Sequence, residues 1–257
     1  MRKSDGLGEI VVRTHNYSIA YNISTMNGIL PVDKPTGMTS YDVIRVFKHN
    51  NPPPKGQKKW RIGHGGTLDP FAEGVLLLLL GRTATQMFEQ IRSLDKTYVA
   101  SAYIGKATDT LDLAGKVVAN SSLSLLPTRA VIEAAIPQFV GEIEQIIPDY
   151  SAAKINGKPR YKYAREGEEV VVSAKKVTVK KLEIISFEKN ILTFETTVSS
   201  GTYIRQLSYD LIKHCGSESH LERLKRVSVG AITINDTVTI EELKRQNWQA
   251  KLRSQLH

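Results

Sequence analysis

The strongest hydropathy pattern in the chain is an unbroken aliphatic run, Val75 to Leu80, inside the stretch "RIGHGGTLDPFAEGVLLLLLG" from Arg61 to Gly81. A membrane helix needs ~20 apolar residues, so this run reads as an element buried on both faces. Alternation marks the strands. Tyr98, Ala100, Ala102 and Ile104 alternate with more polar positions, and "DLAG" turns the chain into a second strand at Val117. "GILPVDKP" reads as a short strand ending in a proline turn. "VTVKKLEIISFEKNILTFETTVSS" reads as a hairpin turning near Lys189-Asn190, Asn156-Gly157 as a tight turn, and "GAITIND" as a last strand.

Helical spacing appears elsewhere. Val43, Val46 and Phe47 share a face of "TSYDVIRVFKHN", with Ser40 expected as N-cap. "PTRAVIEAAIPQFVG" predicts a helix capped by Thr128 and interrupted at Pro137. Ile204, Leu207, Leu211 and Ile212 form a stripe in "GTYIRQLSYDLIKHCG", which Gly216 stops. Thr239 with Glu242 offers a capping box for a terminal helix. Strands and helices mix without regular βαβ alternation, which predicts an α+β fold with a largely antiparallel sheet.

Residues 1–27 are polar and aperiodic, and Met26-Asn27-Gly28 immediately precedes the first dense apolar segment. The expectation is a flexible extension, or a start codon assigned too early, followed by one catalytic domain over 28–257. "NNPPPKGQKKW" reads as a solvated Pro/Lys loop whose Lys55, Lys58 and Lys59 are candidate phosphate contacts.

Charge narrows the function classes. The formal net charge of +9 favours a polyanionic partner, nucleic acid before anionic membrane. A single cysteine, Cys215, excludes a disulfide framework within the chain and any cysteine-cluster zinc site; His214 and His220 nearby are weak candidate ligands. The N-terminus shows no apolar secretory core. These features predict a protein of a reducing compartment, expected to be cytoplasmic.

Neither "GHGG" nor "IGKAT" meets the spacing of a nucleotide phosphate loop, which disfavours ATP-dependent chemistry. Asp69 carries two readings. With Pro70 behind it, it fits a helix start, Asp69 as N-cap and Pro70 at the first helical position. Yet Gly63, Gly65 and Gly66 precede it, and Pro70 restricts it to extended geometry, so its carboxylate is aimed. Such a group can act as a nucleophile at a sugar's anomeric carbon, provided it stays ionised with a cation nearby. A second constellation runs from Ser151 to Arg165, where five basic residues and no acidic one interleave with Tyr161 and Tyr163. That mixture suits RNA, rings stacking on bases and cations meeting phosphates; it also suits a solvated helix face. "RLKR" at Arg223 to Arg226 is a candidate addition to the same surface.

Several segments, in chain order, resemble the TruB-type tRNA pseudouridine synthases: "LPVDKPTGMTS", "GHGGTLDPFAEGVL", "LDKTYVA", "GKATDTLD", "YSAAKINGKPRYKYAREG", "SSGTYIRQL" and "HLERLKRVSVG". The resemblance covers roughly Asn27 to Val238. It implies the pseudouridine-synthase α+β fold, with an RNA-binding cleft along a mixed sheet. It implies isomerisation of one uridine in the tRNA T-arm loop (position 55 by tRNA convention) by a monomer, with no cofactor and no metal. It casts Asp69 as nucleophile or base and Arg205 as its ion-pair partner. Tyr98 would stack on the flipped uracil, Leu224 would line an apolar floor, and His64 would fill the gap the base leaves. Lys34 and Asp109 receive supporting roles, and Tyr203, Lys154 and Arg160 are assigned to RNA binding. Extruding a uridine costs roughly a few kcal/mol, which basic surface and stacked rings offset.

There are departures. Gly65 stands where many members carry a hydroxyl residue, Glu73 adds an acid, Gln86 replaces a common lysine, and the Pro/Lys insertion is long. No room is expected for a C-terminal RNA-binding domain. Two other classes compete: a non-catalytic RNA-binding or tRNA-folding protein, and a nucleoside hydrolase. The hydrolase would want a second carboxylate, for which Glu73 is the near candidate.

Overall fold

A computed structural model describes residues 9–14, 17–22, 27–53, 56–122, 126–168 and 171–255, the first two segments by backbone alone. Lys55 and the start at Met26 lie outside the described residues. The chain divides into two compact units, one of residues 1–93 with 230–257 and one of residues 94–229.

The first unit opens with β1 (Glu9–Thr14) and β2 (Tyr17–Asn22), antiparallel with Ile10 opposite Tyr21 and Val12 opposite Ile19. This corrects the expectation of an aperiodic leader. Both strands alternate weakly, but β-branched and aromatic residues still favour an extended ladder. β3 (Gly28–Lys34) follows, then α1 (Ser40–Asn50). The cap of α1 is Thr39 rather than Ser40: Thr39 and Asp42 form a reciprocal capping box. β4 (Ile62–His64) and β5 (Glu73–Leu80) come next, and both β3 and β4 pair antiparallel with β5. Flanked on both edges, β5 buries every residue from Gly74 to Leu80, which is why its sequence does not alternate. α2 (Gly81–Gln86) and α3 (Phe88–Ser93) complete this part.

The second unit is a five-stranded antiparallel sheet with helices. β6 (Lys96–Ile104) shows the expected alternation of burial, and β7 (Lys106–Thr108) pairs with β8 (Val117–Asn120). Thr128 caps α4 (Arg129–Ala135), and Pro137 falls in a 3₁₀ turn. β9 (Gly141–Ile146) leads to the small hairpin of β10 (Lys154–Ile155) and β11 (Lys158–Pro159), with Asn156 and Gly157 at its turn. After α5 (Arg160–Glu166) come β12 (Ala174–Glu188), β13 (Ile191–Val198), α6 (Ile204–His214) and β14 (Ser219–Val229). The sheet order is β14-β6-β13-β12-β9. Ile204, Leu207, Leu211 and Ile212 are the buried stripe of α6.

The chain returns to the first unit through β15 (Ile232–Thr233) and α7 (Ile240–Lys244), the latter capped by Thr239 and Glu242. The expected last strand is thus only two residues long, because Thr233 and Asp236 cap a 3₁₀ turn directly after it. Phe47 of α1 packs on Trp60 and on Trp248, ring centroids 5.3 and 5.0 Å apart. Asn51 ties the same group: its Oδ1 accepts from Trp248 Nε1 at 2.6 Å and its amide donates to the carbonyl of Leu243. These contacts fasten the C-terminal segment to α1.

Candidate functional site

Within the first unit, Asp69 lies in the loop between β4 and β5. It does not start a helix. Its carbonyl accepts from Ala72 N at 3.1 Å, closing a turn over Pro70 and Phe71 that feeds straight into β5. Asp followed by Pro suits the first two positions of such a turn as well as a helix start, so the N-cap reading yields to the turn. The backbone around the carboxylate is pinned at four places. Gly65 N donates to Leu77 O at 2.8 Å. Leu68 N donates to Ser40 Oγ at 2.9 Å, and that hydroxyl donates back to Leu68 O at 3.3 Å. Pro70 O accepts from Gly37 N at 2.8 Å. Lys34, fully buried, donates its ammonium to the carbonyls of Pro35, Met38 and Pro70. Leu68 and Ala72 are buried while Asp69 is half-buried. The loop is therefore rigid where its backbone runs and presents the carboxylate at its margin.

Two glycines permit this path. Gly66 holds φ at +127°, open to glycine and strained for any L side chain. A Cβ on Gly65 would fall 2.2 Å from Cγ2 of Ile91. The departure at Gly65 is thus matched by an isoleucine methyl filling the space. His64, on β4 opposite Leu78, is half-buried two residues before Gly66.

In the second unit, Arg205 sits in the first turn of α6 with 3% exposure. Its guanidinium donates to Thr110 O at 2.5 Å and to Tyr150 O at 2.9 Å, and its Nε lies 3.7 Å from Asp112 Oδ2. Asp112 is itself held: Oδ1 accepts from Thr110 Oγ1 at 2.8 Å and from Ala114 N at 3.0 Å. Sequence reading passed over Asp112 and chose Asp109, three residues earlier. Asp109 is exposed and accepts from Lys116 N at 2.8 Å, closing the turn between β7 and β8. The available signal was the Asp-Leu-Ala spacing, which suits an aspartate bonding the N–H two residues on.

Tyr98 lies on β6 with 8% exposure, between Thr196 of β13 and Arg226 of β14, and buried Leu224 lies opposite Ala100. Tyr203 is the N-cap of α6. Lys154 is exposed on β10. Arg160 differs from its assignment to RNA binding. It is 1% exposed and bonds Asp149 at 2.7 Å, Ser173 Oγ at 3.1 Å and Val171 O at 3.1 Å. Its guanidinium holds the ends of its own segment together, because burying a charge requires such partners. Around it the basic-aromatic pattern is real: Lys158 lies 4.2 Å from the Tyr163 ring centroid, and Arg165 lies 5.5 Å from that of Tyr161. "RLKR" forms part of β14, with Arg223 exposed and Arg226 buried, not one charged surface.

Among the described residues, no three His, Cys, Asp or Glu side chains are grouped to hold a metal ion. The weak trio separates: His214 packs on Phe139, His220 Nδ1 lies 2.9 Å from Lys106 O, and burial pushes the Cys215 thiol up. No helix among the described residues is long and apolar enough to cross a membrane.

Comparison with known proteins covers both units. Residues 55–204 match the model of the TruB family pseudouridylate synthase (N terminal domain). A tRNA pseudouridine synthase B of Protochlamydia amoebophila is 37% identical over 94% of this chain and 89% of its own length. That of Chlamydia felis is 42% identical over 82% and 86%, and that of Caldanaerobacter subterraneus 41% over 86% and 75%. Among solved structures, a chain of a Cbf5-Nop10-Gar1 complex is similar with a TM-score of 0.63 at 26% identity, and one of an archaeal box H/ACA Nop10-Cbf5 complex with 0.58 at 25%. This chain is covered for 86% and 85% in those pairs and spans about half of each solved chain, 54% and 53%.

Proposed function

The chain belongs to the TruB family of pseudouridylate synthases, and on that premise we propose that it isomerises the T-arm uridine 55 of tRNA to pseudouridine. The observation that carries this reading is the likeness to tRNA pseudouridine synthase B, which runs through nearly the whole length of both proteins rather than through one motif.

The chemistry follows from the residues. Asp69, fixed by its turn, acts as nucleophile or base on the target nucleotide. The C1′–N1 bond breaks, the uracil turns while held, and C5 bonds to C1′; the proton on C5 then leaves, so the product is an isomer of the substrate. Tyr98 stacks on the uracil and takes part in proton transfer. Arg205 supplies positive charge to the reaction. Leu224 lines the apolar floor, which keeps water from the sugar intermediate. His64 fills the helical stack left by the extruded base, while Lys34 and Asp109 support their loops. Lys154, Tyr203 and the cation-ring pairs of Lys158 and Arg165 bind the RNA backbone and bases. The enzyme works as a cytoplasmic monomer without cofactor or metal.

The test is incubation with unmodified tRNA transcript. Pseudouridine should appear at position 55 alone, mapped by chemical adduct and reverse-transcription stop, with no free uracil by chromatography. Uracil release without pseudouridine would make the protein a hydrolase. Tight tRNA binding with neither product would make it a binding or folding protein.

A further inference from the structure

Gln145 is a fully buried amide on β9, at 0% exposure, in a strand whose neighbours Glu144 and Ile146 are exposed. Its Oε1 accepts from Tyr203 N at 2.8 Å and its Nε2 donates to Tyr203 O at 3.1 Å. One planar amide thus grips both backbone groups of one residue. That residue is the N-cap of α6, it has no side-chain cap of its own, and Arg205 stands two positions further on.

A second grip lies beside the first. Directly across the ladder from Gln145, on β12, is Lys175. Its ammonium donates to Gly201 O and lies 4.5 Å from the ring centroid of Tyr203. The segment after β9 then reaches Arg205 itself, through Tyr150 O at 2.9 Å from the guanidinium. The start of α6 is therefore held on its backbone by β9 and β12, and at its arginine by the chain that continues β9. A side chain needed for volume alone could be apolar in this place. An amide that satisfies both the N–H and the C=O of a single residue fixes the direction of its peptide planes, and through them the exit of the helix's first turn.

From this geometry we infer that Gln145 is a positioning residue for the reaction, acting through Tyr203 on the placement of Arg205. The inference rests on the synthase reading above. Displacing a reacting or charge-supplying group by about 1 Å costs up to about a hundredfold in rate, whereas binding of a large RNA depends on many other contacts. Loss of Gln145 should therefore fall on the chemical step and spare tRNA affinity.

The experiment measures single-turnover pseudouridine formation on unmodified tRNA transcript against enzyme concentration, giving a maximal rate and a half-saturating concentration. Gln145→Met keeps the volume and removes both hydrogen bonds. Its maximal rate should fall about tenfold or more, with the half-saturating concentration within about twofold of wild type. In an Arg205→Lys background the same change should add less than about twofold, because the two residues act on one step. Should Gln145→Met fail to fold, Gln145→Glu takes its place; it keeps the acceptor for Tyr203 N, lacks the donor for Tyr203 O, and should show a smaller loss of the same kind. An unchanged rate, or a loss confined to the half-saturating concentration, would overturn the inference. A wild-type protein that makes no pseudouridine would overturn the reading beneath it instead.

Discussion

Asp69 owes its orientation to what holds the backbone on either side of it. Ser40 brackets Leu68, the Lys34 ammonium and Gly37 N fix Pro70, and Gly65 lies against Ile91. The Gly65 contact gives a direct test. Gly65→Ser places a Cβ where Ile91 Cγ2 already is, so it should destabilise the fold by about 1–3 kcal/mol, read as a lower thermal midpoint. Ile91→Ala in the same chain removes that methyl and should lessen the penalty; an additive loss would contradict the packing account. Arg205 depends on Asp112 in a different manner. The two charges are almost fully buried and 3.7 Å apart, and Asp112 is oriented by Thr110 and Ala114. Asp112→Ala should cost about 1.5–3 kcal/mol in denaturant unfolding and slow modification, while Asp109→Ala, on an exposed turn, should cost less. Equal effects would show that the sequence-based preference for Asp109 was right.

At the scale of elements, three capping boxes in the first unit use carboxylates that bond the backbone N–H of a threonine: Asp42, Asp236 and Glu242. The Thr39 hydroxyl and N–H, with Arg45, lower Asp42 from 3.8 to about 2, and the threonine partners lower Asp236 and Glu242 as well. A carboxyl depressed on folding adds stability above its ordinary range and loses it as pH falls through the folded value. The gap in thermal midpoint between wild type and Asp42→Ala should hold from pH 7 to 5 and close as pH falls toward 2. A gap that widened in acid would reverse the assignment. Most elements were legible because their burial follows one period. β6 alternates, β5 is buried on both faces, α6 carries a stripe, and Asn156 and Gly157 mark their turn. What sequence misread was local chemistry with two solutions. Thr39 and Ser40 both can cap, and distance to Leu68 decides between them. Asp69-Pro70 fits a turn or a helix. The ladder of β1 and β2 depends on pairing partners that no single strand announces.

Across the whole molecule, the charge of +9 is the property sequence states most plainly, yet it does not say which cations face solvent. Arg160 and Arg226 are buried at 1% exposure, while Lys154 is exposed. tRNA affinity should fall steeply with salt, and Lys154→Ala should lower the slope of log affinity against log salt by about 1. Arg160→Met should instead destabilise the second unit, since it strips the partners of Asp149 and Ser173. A salt slope that did not respond to Lys154 would remove that residue from the RNA surface. The division into two units left no mark in the hydropathy pattern, because both contain antiparallel strands of ordinary composition.

The most direct test of the central claim replaces one atom. Asp69→Asn should bind unmodified tRNA transcript as wild type does, retain the thermal midpoint within a few degrees, and form no pseudouridine under single-turnover conditions. Pseudouridine at the wild-type rate from that variant would contradict the account.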